Sequence, residues 1–579
     1  MIDDRYADAF GNPVVVSEAT MSAMRQALGD RTSDASPVPV IRVDRLEQPR
    51  EIGYYDDAIV VPERAYVPDA LERTPAWGVA AQLYSLRSAR NAGIGDFTDL
   101  AQLARIAYDA GASTVALNPL HQLDLSNPSS ASPYAPLSRR YLNALYIDVH
   151  AAAEAFGASL EGLDARALRD ATLVDYNGVA AYKLEALERC YARLSESRPW
   201  RDAAAADPHL RDVARYEAIM EELSALDEEV YSWQQWPSEL QDSRSAAVER
   251  FAAQHAKRVE FFIFLQWLAD HQLAAAADAA SAMPIGLYRD LAVGVDLASA
   301  DVWSDPGAFA LGLSVGAPPD PLNDAGQNWG LVPFHPRVLR ERRYQPFIEL
   351  LRANMRHAGA LRIDHVMGLR RLFCIPRALP QDGGAYVNYD FDAMLGIVAL
   401  EGVRNRCMVV GEDLGTVPEG FRERTAPARI FSCSVLYFER DWDGRFHSPG
   451  EYPLDAVAST GTHDLPTLGG WWNRADQPTR DQLRDAFAAA GIELDGGALT
   501  ALLVAAYRYL ARSHSRLVLL QLEDGIGSLD QVNVPGTVDE EPNWQRKLDV
   551  SIEALPTQSI FAAIVRALRD ERPRGGEAR

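Results

Sequence analysis

Apolar residues along the chain gather into short runs that are typical of buried strands, and an amphipathic stretch separates the first two. GVAAQLYSL over 78–86 is followed by a helical pattern over 96–112 and by a second apolar run, STVALNPL, over 113–120. Continuous apolar runs of this length indicate strands covered on both faces, and the order strand, helix, strand indicates a parallel sheet. These segments predict a βαβ unit.

Six further apolar runs end in polar or glycine-rich residues. They span 283–291, 359–365, 407–415, 431–441, 456–464 and 517–525. With the first two runs they make eight candidate strands, the number that closes a TIM-type (β/α)8 barrel. The sequence therefore predicts an α/β fold with a catalytic barrel over residues 76–579.

Two regions lie outside the repeating pattern. Residues 1–75 contain one short helical pattern after Ser17 and a strand-like alternation, which we interpret as a short N-terminal appendage. Residues 150–280 have a largely helical pattern that is too long for an ordinary barrel loop. We predict a helical insertion there, on the active face of the barrel.

Composition and charge exclude several classes of protein. Of the 579 residues, 47% are hydrophobic and 24% charged, as in globular proteins, and the net charge of −24 disfavours nucleic acids and anionic membrane surfaces as partners. The chain shows no apolar run of the ~18 residues that a membrane helix needs and no signal-peptide pattern at its start, so we expect a cytoplasmic protein. Its four cysteines have no metal-type spacing and predict buried reduced thiols.

Three of the predicted strands end in a carboxylate. These are Asp364 in LRIDHVMG, Glu412 in VVGEDLG and Asp464 in TGTHDLP. Barrel enzymes place their reacting groups at the C-terminal ends of strands, although one strand-end acid alone is more often a helix cap. Cleavage of a glycosidic bond with retention needs a carboxylate nucleophile and a carboxylic acid that donates a proton, and a third acid can orient sugar hydroxyls.

The neighbours of these acids fit the same chemistry. Arg362 precedes Asp364 by two positions, so on a strand it faces the same side, where its charge would keep Asp364 ionised. His365 and His463 each lie next to one acid and could donate hydrogen bonds to a sugar, with a core histidine as the equally weighted alternative.

Several longer motifs give the chain a family resemblance. They are NAGIGDFTDL (91–100), NPLH (118–121), SPYAPLSRRYLNALYID (132–148), GAPPD with GQNWGLVPF (316–334), LRIDHVMGL, GEDLGTVP, STGTHDLPTLGGWW (459–472) and QVNVPGTVDEEPNW (531–544). With these motifs in this order, the chain resembles the 4-α-glucanotransferases (amylomaltases or disproportionating enzymes), glycoside hydrolase family 77 of the α-amylase clan.

The resemblance implies an activity and a role for each acid. The activity is transfer of a 1,4-α-glucan segment to the 4-hydroxyl of an acceptor glucan or glucose by double displacement. Asp364 would be the nucleophile, Glu412 the general acid and then base, and Asp464 the stabiliser of the transition state. Arg362 and the two histidines match residues that line the cleavage subsite.

The resemblance also assigns substrate-binding residues outside the strand ends. The loop 316–330 matches the family's flexible lid and supplies Asp320, Gln327 and Trp329. Tyr134 matches a residue that packs on the sugar next to the cleaved bond, and Asn533 matches a polar residue near the active face.

Alternatives remain open from the residues alone. An α-glucan hydrolase of the same clan would use the same three acids, and a catalytically silent glucan-binding protein is the alternative from another class. We expect no metal and no organic cofactor, because no calcium-loop or phosphate-binding pattern is present. The expected partners are α-1,4-glucans, such as maltooligosaccharides, glycogen or starch, and the expected assembly is a monomer or homodimer.

Overall fold

Eight parallel strands form a closed barrel in which each strand neighbours the next along the chain. The strands are β1 Ala76–Ala81, β2 Thr114–Leu117, β3 Gly286–Leu291, β4 Ala360–Ile363, β5 Met408–Gly411, β6 Ser432–Val435, β7 Ala456–Ser459 and β8 Leu517–Gln521. β8 pairs with β1, and a parallel bridge between Val410 and Phe431 joins β5 to β6. The computed structural model describes residues 1–8, 11–29, 38–193, 198–227, 229–319, 326–379, 383–494, 497–538 and 540–574.

The predicted TIM barrel is confirmed. Seven of the eight apolar runs contain a barrel strand, and the run 78–86 overlaps the first strand, which begins two residues earlier at Ala76. Apolar side chains from several strands fill the interior, among them Tyr288, Met408 and Leu517, so the barrel is a packed core. The predicted runs extend past the strand ends, since the turns that follow are also buried.

Helices cover the barrel unevenly. The first, Phe97–Ala110, begins after Asp96, whose side chain accepts the backbone N–H groups of Thr98 and Asp99, and it ends at Gly111 in the left-handed conformation. It packs against the long helix Ala256–Ala279, so the end of the predicted insertion belongs to the outer ring. Other covering helices are Gln345–Met355, Phe391–Asn405, Leu499–Ala511 and Ser559–Glu571.

Further helices and strands complete the described part of the chain. The remaining helices are Glu18–Leu28, Asp69–Arg73, Val149–Phe156, Arg166–Asp170, Tyr176–Ala192, Trp200–Ala206, Pro208–Leu226, Ala246–Gln254, Ala300–Ser304, Pro336–Glu341, Arg422–Thr425, Leu468–Arg474, Gln477–Ala489 and Leu522–Gly525. The remaining strands are Arg5–Ala7, Pro13–Val15, Val40–Arg42, Gly53–Tyr54, Ile59–Val61, His121–Gln122, Ser138–Leu142, Val295–Asp296, Leu313–Ala317, Gln327–Asn328, Leu331–Val332, Arg371–Pro376 and Ala385–Asn388.

A four-stranded antiparallel sheet stands beside the barrel and carries the loop 316–330. Leu313–Ala317 pairs with Gln327–Asn328 as a hairpin and with Arg371–Pro376 on its other side. The helix Glu18–Leu28 packs against this sheet, whereas the strands between residues 40 and 61 pack against Phe391–Asn405. The two parts of the segment 1–75 therefore rest on different elements.

Two expectations from composition concern the cysteines and the apolar stretches. All four cysteines are free, as expected. Cys190, Cys374 and Cys407 are buried, whereas Cys433 is only partly buried, which corrects the expectation for that residue. Among the described residues, no helix has both the length and the apolar character needed to cross a membrane.

Gly359 allows β3 and β4 to approach each other, because a Cβ atom there would overlap the carbonyl oxygen of Ile285. We expect Gly359→Ala to destabilise the fold by about 3 kcal/mol or more, since backbone atoms cannot move away as a side chain can. Gly497→Ala is the matched control, because no atom lies within 4 Å of the added methyl group. Thermal unfolding of both variants tests this; an equal melting temperature for the two would contradict it.

Candidate active site

The three predicted acids follow three barrel strands at the C-terminal face. Asp364 comes directly after β4, Glu412 directly after β5, and Asp464 lies five residues beyond β7. The backbone N–H of Asp364 donates to the carbonyl of Leu291 at the end of β3 (3.0 Å), which fixes the turn in which the carboxylate leaves the strand.

Arg362 is the link between the acids on β3 and β4. Its guanidinium, whose side chain is 16% exposed, donates to both carboxylate oxygens of Asp290 (2.8 and 2.7 Å) and pairs with Asp364 at 2.8 Å. Asp290 and Arg362 are direct cross-strand neighbours, so the ion pair follows from the strand register.

Asp290 is a site residue that the sequence analysis missed. It stands in the run MPIGLYRDL, where a carboxylate directly after Arg289 on a mainly apolar strand was the available signal. Recognising its role needs the register between β3 and β4, because its partner Arg362 lies 72 residues away in sequence.

Burial raises the pKa of Asp364 to about 6, against the opposing charge of Arg362. The carboxylates of Asp290 and Glu412 push it in the same upward direction. Arg362 was expected to keep Asp364 ionised, but its charge is shared with Asp290, so the pKa stays above the usual carboxyl range. At neutral pH Asp364 is still mostly ionised.

Glu412 is held by the backbone of two neighbouring turns. Its Oε2 accepts the N–H of His365 (2.9 Å) and its Oε1 accepts the N–H of Leu414 (2.6 Å). Burial nevertheless raises its pKa above the ordinary value, with Arg362 and the two amides opposing the shift. A carboxyl group with this pKa shift retains a proton at higher pH than a free glutamate, as a general acid requires.

Asp464 lies at the more open end of the site, with its side chain 45% exposed. Its Oδ1 accepts a hydrogen bond from Nδ2 of Asn533 (2.6 Å), and its Oδ2 lies 3.2 Å from Nε2 of His463. The protein atoms around the carboxylate partly desolvate it and act to raise the pKa of Asp464, but His463 and Asn533 outweigh this effect and the pKa is lowered. For His463 burial acts downward, while the Asp464 charge and hydrogen bond raise its pKa overall.

Gln531 is a second residue that the sequence analysis missed. Its Nε2 donates to the backbone carbonyls of Asp464 (2.9 Å) and Asn533 (2.7 Å), and so ties the segment 531–533 to the loop after β7. The quoted motif QVNVPGT contained it, but only the tertiary fold shows that it supports Asp464.

Aromatic rings form one wall of the site. Tyr134 stacks on His463 with ring centroids 4.7 Å apart, and its hydroxyl donates to Asp290 (2.6 Å). Trp544, which the sequence analysis left without a role, packs against both rings at 5.5 and 5.3 Å. Flat apolar faces next to carboxylates are the combination that pyranose rings bind.

The base of the loop 316–330 also lies beside the three acids. The ring of Trp329 meets that of His365 edge to face at 5.4 Å, and its Nε1 donates to Oε1 of Gln327 (3.0 Å). Burial lowers the pKa of His365, so its imidazole is neutral at pH 7. Asp320, the third predicted residue of this loop, lies outside the described residues.

The acid pKa values predict a pH profile. We expect kcat/KM for the reaction at this site to fall as the pH drops through about 6, because Asp364 then gains the proton that prevents nucleophilic attack. The alkaline limb would report loss of the proton from Glu412 and should be absent in Glu412→Gln. A pH–rate profile that stays flat down to about pH 4, the usual carboxyl range, would contradict this account.

Within the described ranges, no group of three or more His, Cys, Asp or Glu side chains is arranged to hold a metal ion.

Known proteins resemble this chain over most of its length. The family model described as 4-alpha-glucanotransferase matches residues 81–552. The 4-alpha-glucanotransferases of Haemophilus influenzae (37% identical, 89% of this chain and 82% of the relative) and Mycobacterium tuberculosis (38%, 84% and 73%) are similar in sequence. The crystal structure of an amylomaltase from Corynebacterium glutamicum has a TM-score of 0.83 at 27% identity and covers 98% of both chains.

Proposed function

The chain belongs to the 4-α-glucanotransferase family, glycoside hydrolase family 77, and from this premise we propose that Asp364, Glu412 and Asp464 perform a retaining, two-step transfer of glucan segments. The activity itself is that of a 4-α-glucanotransferase, a glycosyltransferase-type enzyme acting on α-glucans. One observation carries the assignment of the acids: a continuous set of contacts joins them at one end of the barrel. Arg362 pairs with Asp364 at 2.8 Å, and Glu412 accepts the N–H of His365. Tyr134 donates to Asp290 and stacks on His463, which lies 3.2 Å from Asp464.

In the first step Asp364 attacks the anomeric carbon of the donor glucan. Glu412 gives its proton to the glycosidic oxygen, so the bond to the leaving chain breaks as the bond to Asp364 forms. Arg362 holds Asp364 from one side through the 2.8 Å contact and so restricts its rotation before attack.

In the second step Glu412, now ionised, accepts the proton of the incoming 4-hydroxyl. The acceptor oxygen bonds to the anomeric carbon and Asp364 leaves as a carboxylate, which restores the starting charges. Two inversions at one carbon retain the α-configuration.

Asp464 and its partners serve the sugar hydroxyls. Because its pKa is lowered, Asp464 remains an acceptor over the working range of pH, and Asn533 and His463 fix its orientation. Tyr134 and His463 offer ring surfaces on the same side. Hydrogen bonds to sugar hydroxyls that strengthen as the ring flattens stabilise the transition state.

Transfer rather than hydrolysis requires that the glycosyl enzyme meets a glucan before water. We assign the exclusion of water to the hairpin that carries Gln327 and Trp329. The Trp329 ring contacts His365, the residue next to Asp364. An apolar ring above the intermediate excludes water, while binding energy holds the acceptor hydroxyl in place.

Maltotriose separates this function from hydrolysis. We expect free glucose together with a ladder of longer maltooligosaccharides, measured by anion-exchange chromatography. Glucose and maltose without longer products would identify an α-glucan hydrolase. The proposal also includes a cytoplasmic location and an assembly that is a monomer or a homodimer. Light scattering of the purified protein would measure the size of the assembly.

A further inference from the structure

A buried carboxylate that the mechanism does not use lies beside the loop that carries Asp464. Asp524 comes shortly after the end of β8, and only 1% of the residue is exposed. The loop spans residues 460–468, from the end of β7 to the first residue of the helix Leu468–Arg474. Burial of a carboxylate is unfavourable unless hydrogen bonds compensate for the lost water, so the partners of Asp524 indicate its role.

Asp524 binds both ends of this loop. Its Oδ2 accepts the hydroxyl of Thr460 (2.7 Å), the first residue of the loop, and its Oδ1 accepts the backbone N–H of Leu468 (2.9 Å), the last. The first N–H groups of a helix have no partner within the helix, so the carboxylate also satisfies the start of the helix that follows. Tyr507, on the covering helix Leu499–Ala511, donates to Oδ2 as well (2.7 Å) and holds the carboxylate in place.

The middle of the loop is attached to another segment. The backbone N–H of Asn533 donates to the carbonyl of His463 (3.1 Å), and Nε2 of Gln531 donates to the carbonyl of Asp464 (2.9 Å). Asp524 joins the first residue of the loop to the last through one carboxylate, as a crosslink would. Closing a loop at its ends restricts the conformations of the residues between them.

We propose that Asp524 is a positioning residue for the transfer reaction: by holding both ends of the 460–468 loop, it sets the place of the Asp464 carboxylate. Its hydrogen bonds go to the loop ends and to Tyr507, so its effect on Asp464 is transmitted through the backbone. The inference rests on the proposed role of Asp464 as stabiliser of the transition state. Displacing that carboxylate weakens hydrogen bonds that form fully only in the transition state, which lowers kcat more than it raises KM.

The test is a double-mutant cycle of Asp524→Asn and Asp464→Asn. An amide keeps the shape of the carboxylate, but its NH2 group cannot accept a hydrogen bond, so one end of the loop loses its partner. We expect Asp524→Asn to lower kcat about tenfold and to change KM less than about twofold. In the Asp464→Asn background the same replacement should lower kcat less than about twofold, because the carboxylate that it positions is already absent.

The rate measured is fluoride release from maltosyl fluoride. Departure of fluoride needs no proton from Glu412, so slow variants still give a signal. Thr460→Val is a milder second variant, because it frees one end of the loop and leaves Leu468 and Tyr507 on the carboxylate. It should lower kcat about threefold in the parent background and leave kcat unchanged in the Asp464→Asn background. If Asp524→Asn does not fold, Thr460→Val decides the test.

Asp148→Asn is the matched control. Asp148 is also a fully buried acid that accepts backbone N–H groups, those of His150 and Ala151, and it lies outside the 460–468 loop. Its replacement should lower the melting temperature and leave kcat unchanged. A loss of kcat in Asp148→Asn equal to that in Asp524→Asn would overturn the inference, because removal of any buried acid would then have this effect.

Two further results would overturn the inference. One is an equal fold-loss of kcat in the parent and Asp464→Asn backgrounds, because Asp524 would then act independently of Asp464. The other is a melting temperature that falls while kcat keeps its parental value, as for a purely structural residue. Failure of the parent enzyme to extend maltotriose would instead refute the proposed function.

Discussion

Replacing Asp364 with asparagine lowers kcat for glucan transfer by at least ~10³-fold in our account, because the amide cannot form the glycosyl ester through which both steps pass. The shape of the side chain is kept, so maltooligosaccharides should still bind. The raised pKa of Asp364 shows that the folded protein disfavours its charged form, so a neutral isostere should not destabilise the fold.

Product formation from maltotriose and binding by calorimetry measure the two parts of this prediction. Asp413→Asn provides a control, because Asp413 is a buried acid at the same end of β5 that pairs with Arg422 and accepts the N–H of Cys433. It should affect thermal stability more than kcat. Transfer by Asp364→Asn at close to the parental rate would show that another group is the nucleophile.

The second large effect is expected for Glu412→Gln. Glutamine cannot donate a proton to the glycosidic oxygen, so kcat on maltooligosaccharides should fall by roughly 10²–10⁴-fold, the usual contribution of a general acid. A maltosyl fluoride donor needs no such proton, because fluoride leaves unaided. We therefore expect a fast first step on the fluoride, seen as a burst of released fluoride.

If Glu412→Gln slowed the first step on maltosyl fluoride as much as it lowered kcat on maltooligosaccharides, the result would contradict the role of Glu412 as proton donor. Such a result would indicate that Glu412 instead positions the neighbouring turns, because its carboxylate accepts hydrogen bonds from the backbone N–H groups of His365 and Leu414.

The barrel could be predicted from sequence because its signals are local. A strand covered on both faces must be apolar along its whole length, and eight such runs separated by helical or polar segments leave few other folds. The first covering helix could also be predicted from sequence, since Asp96 and Gly111 mark its two ends. The three acids followed from their place at strand ends.

The residues that support the three acids could not be predicted from local sequence patterns. Asp290 acquires its role only when β3 and β4 pair in register, and Gln531 only when its segment returns to the loop after β7. Trp544 adopts a positive φ of 61°, which propensities do not predict for tryptophan, and this turn lies against Tyr134. Such contacts are set by tertiary packing between segments far apart in sequence.

The most direct test of the mechanism is to trap the covalent intermediate. In Glu412→Gln, maltosyl fluoride should glycosylate Asp364, and the missing general base should then slow its release. Mass spectrometry of the intact variant should show one added maltosyl group, and peptide mapping should place it on the peptide that contains Asp364. A maltosyl group on another residue, or no adduct despite a full burst of fluoride, would contradict the account.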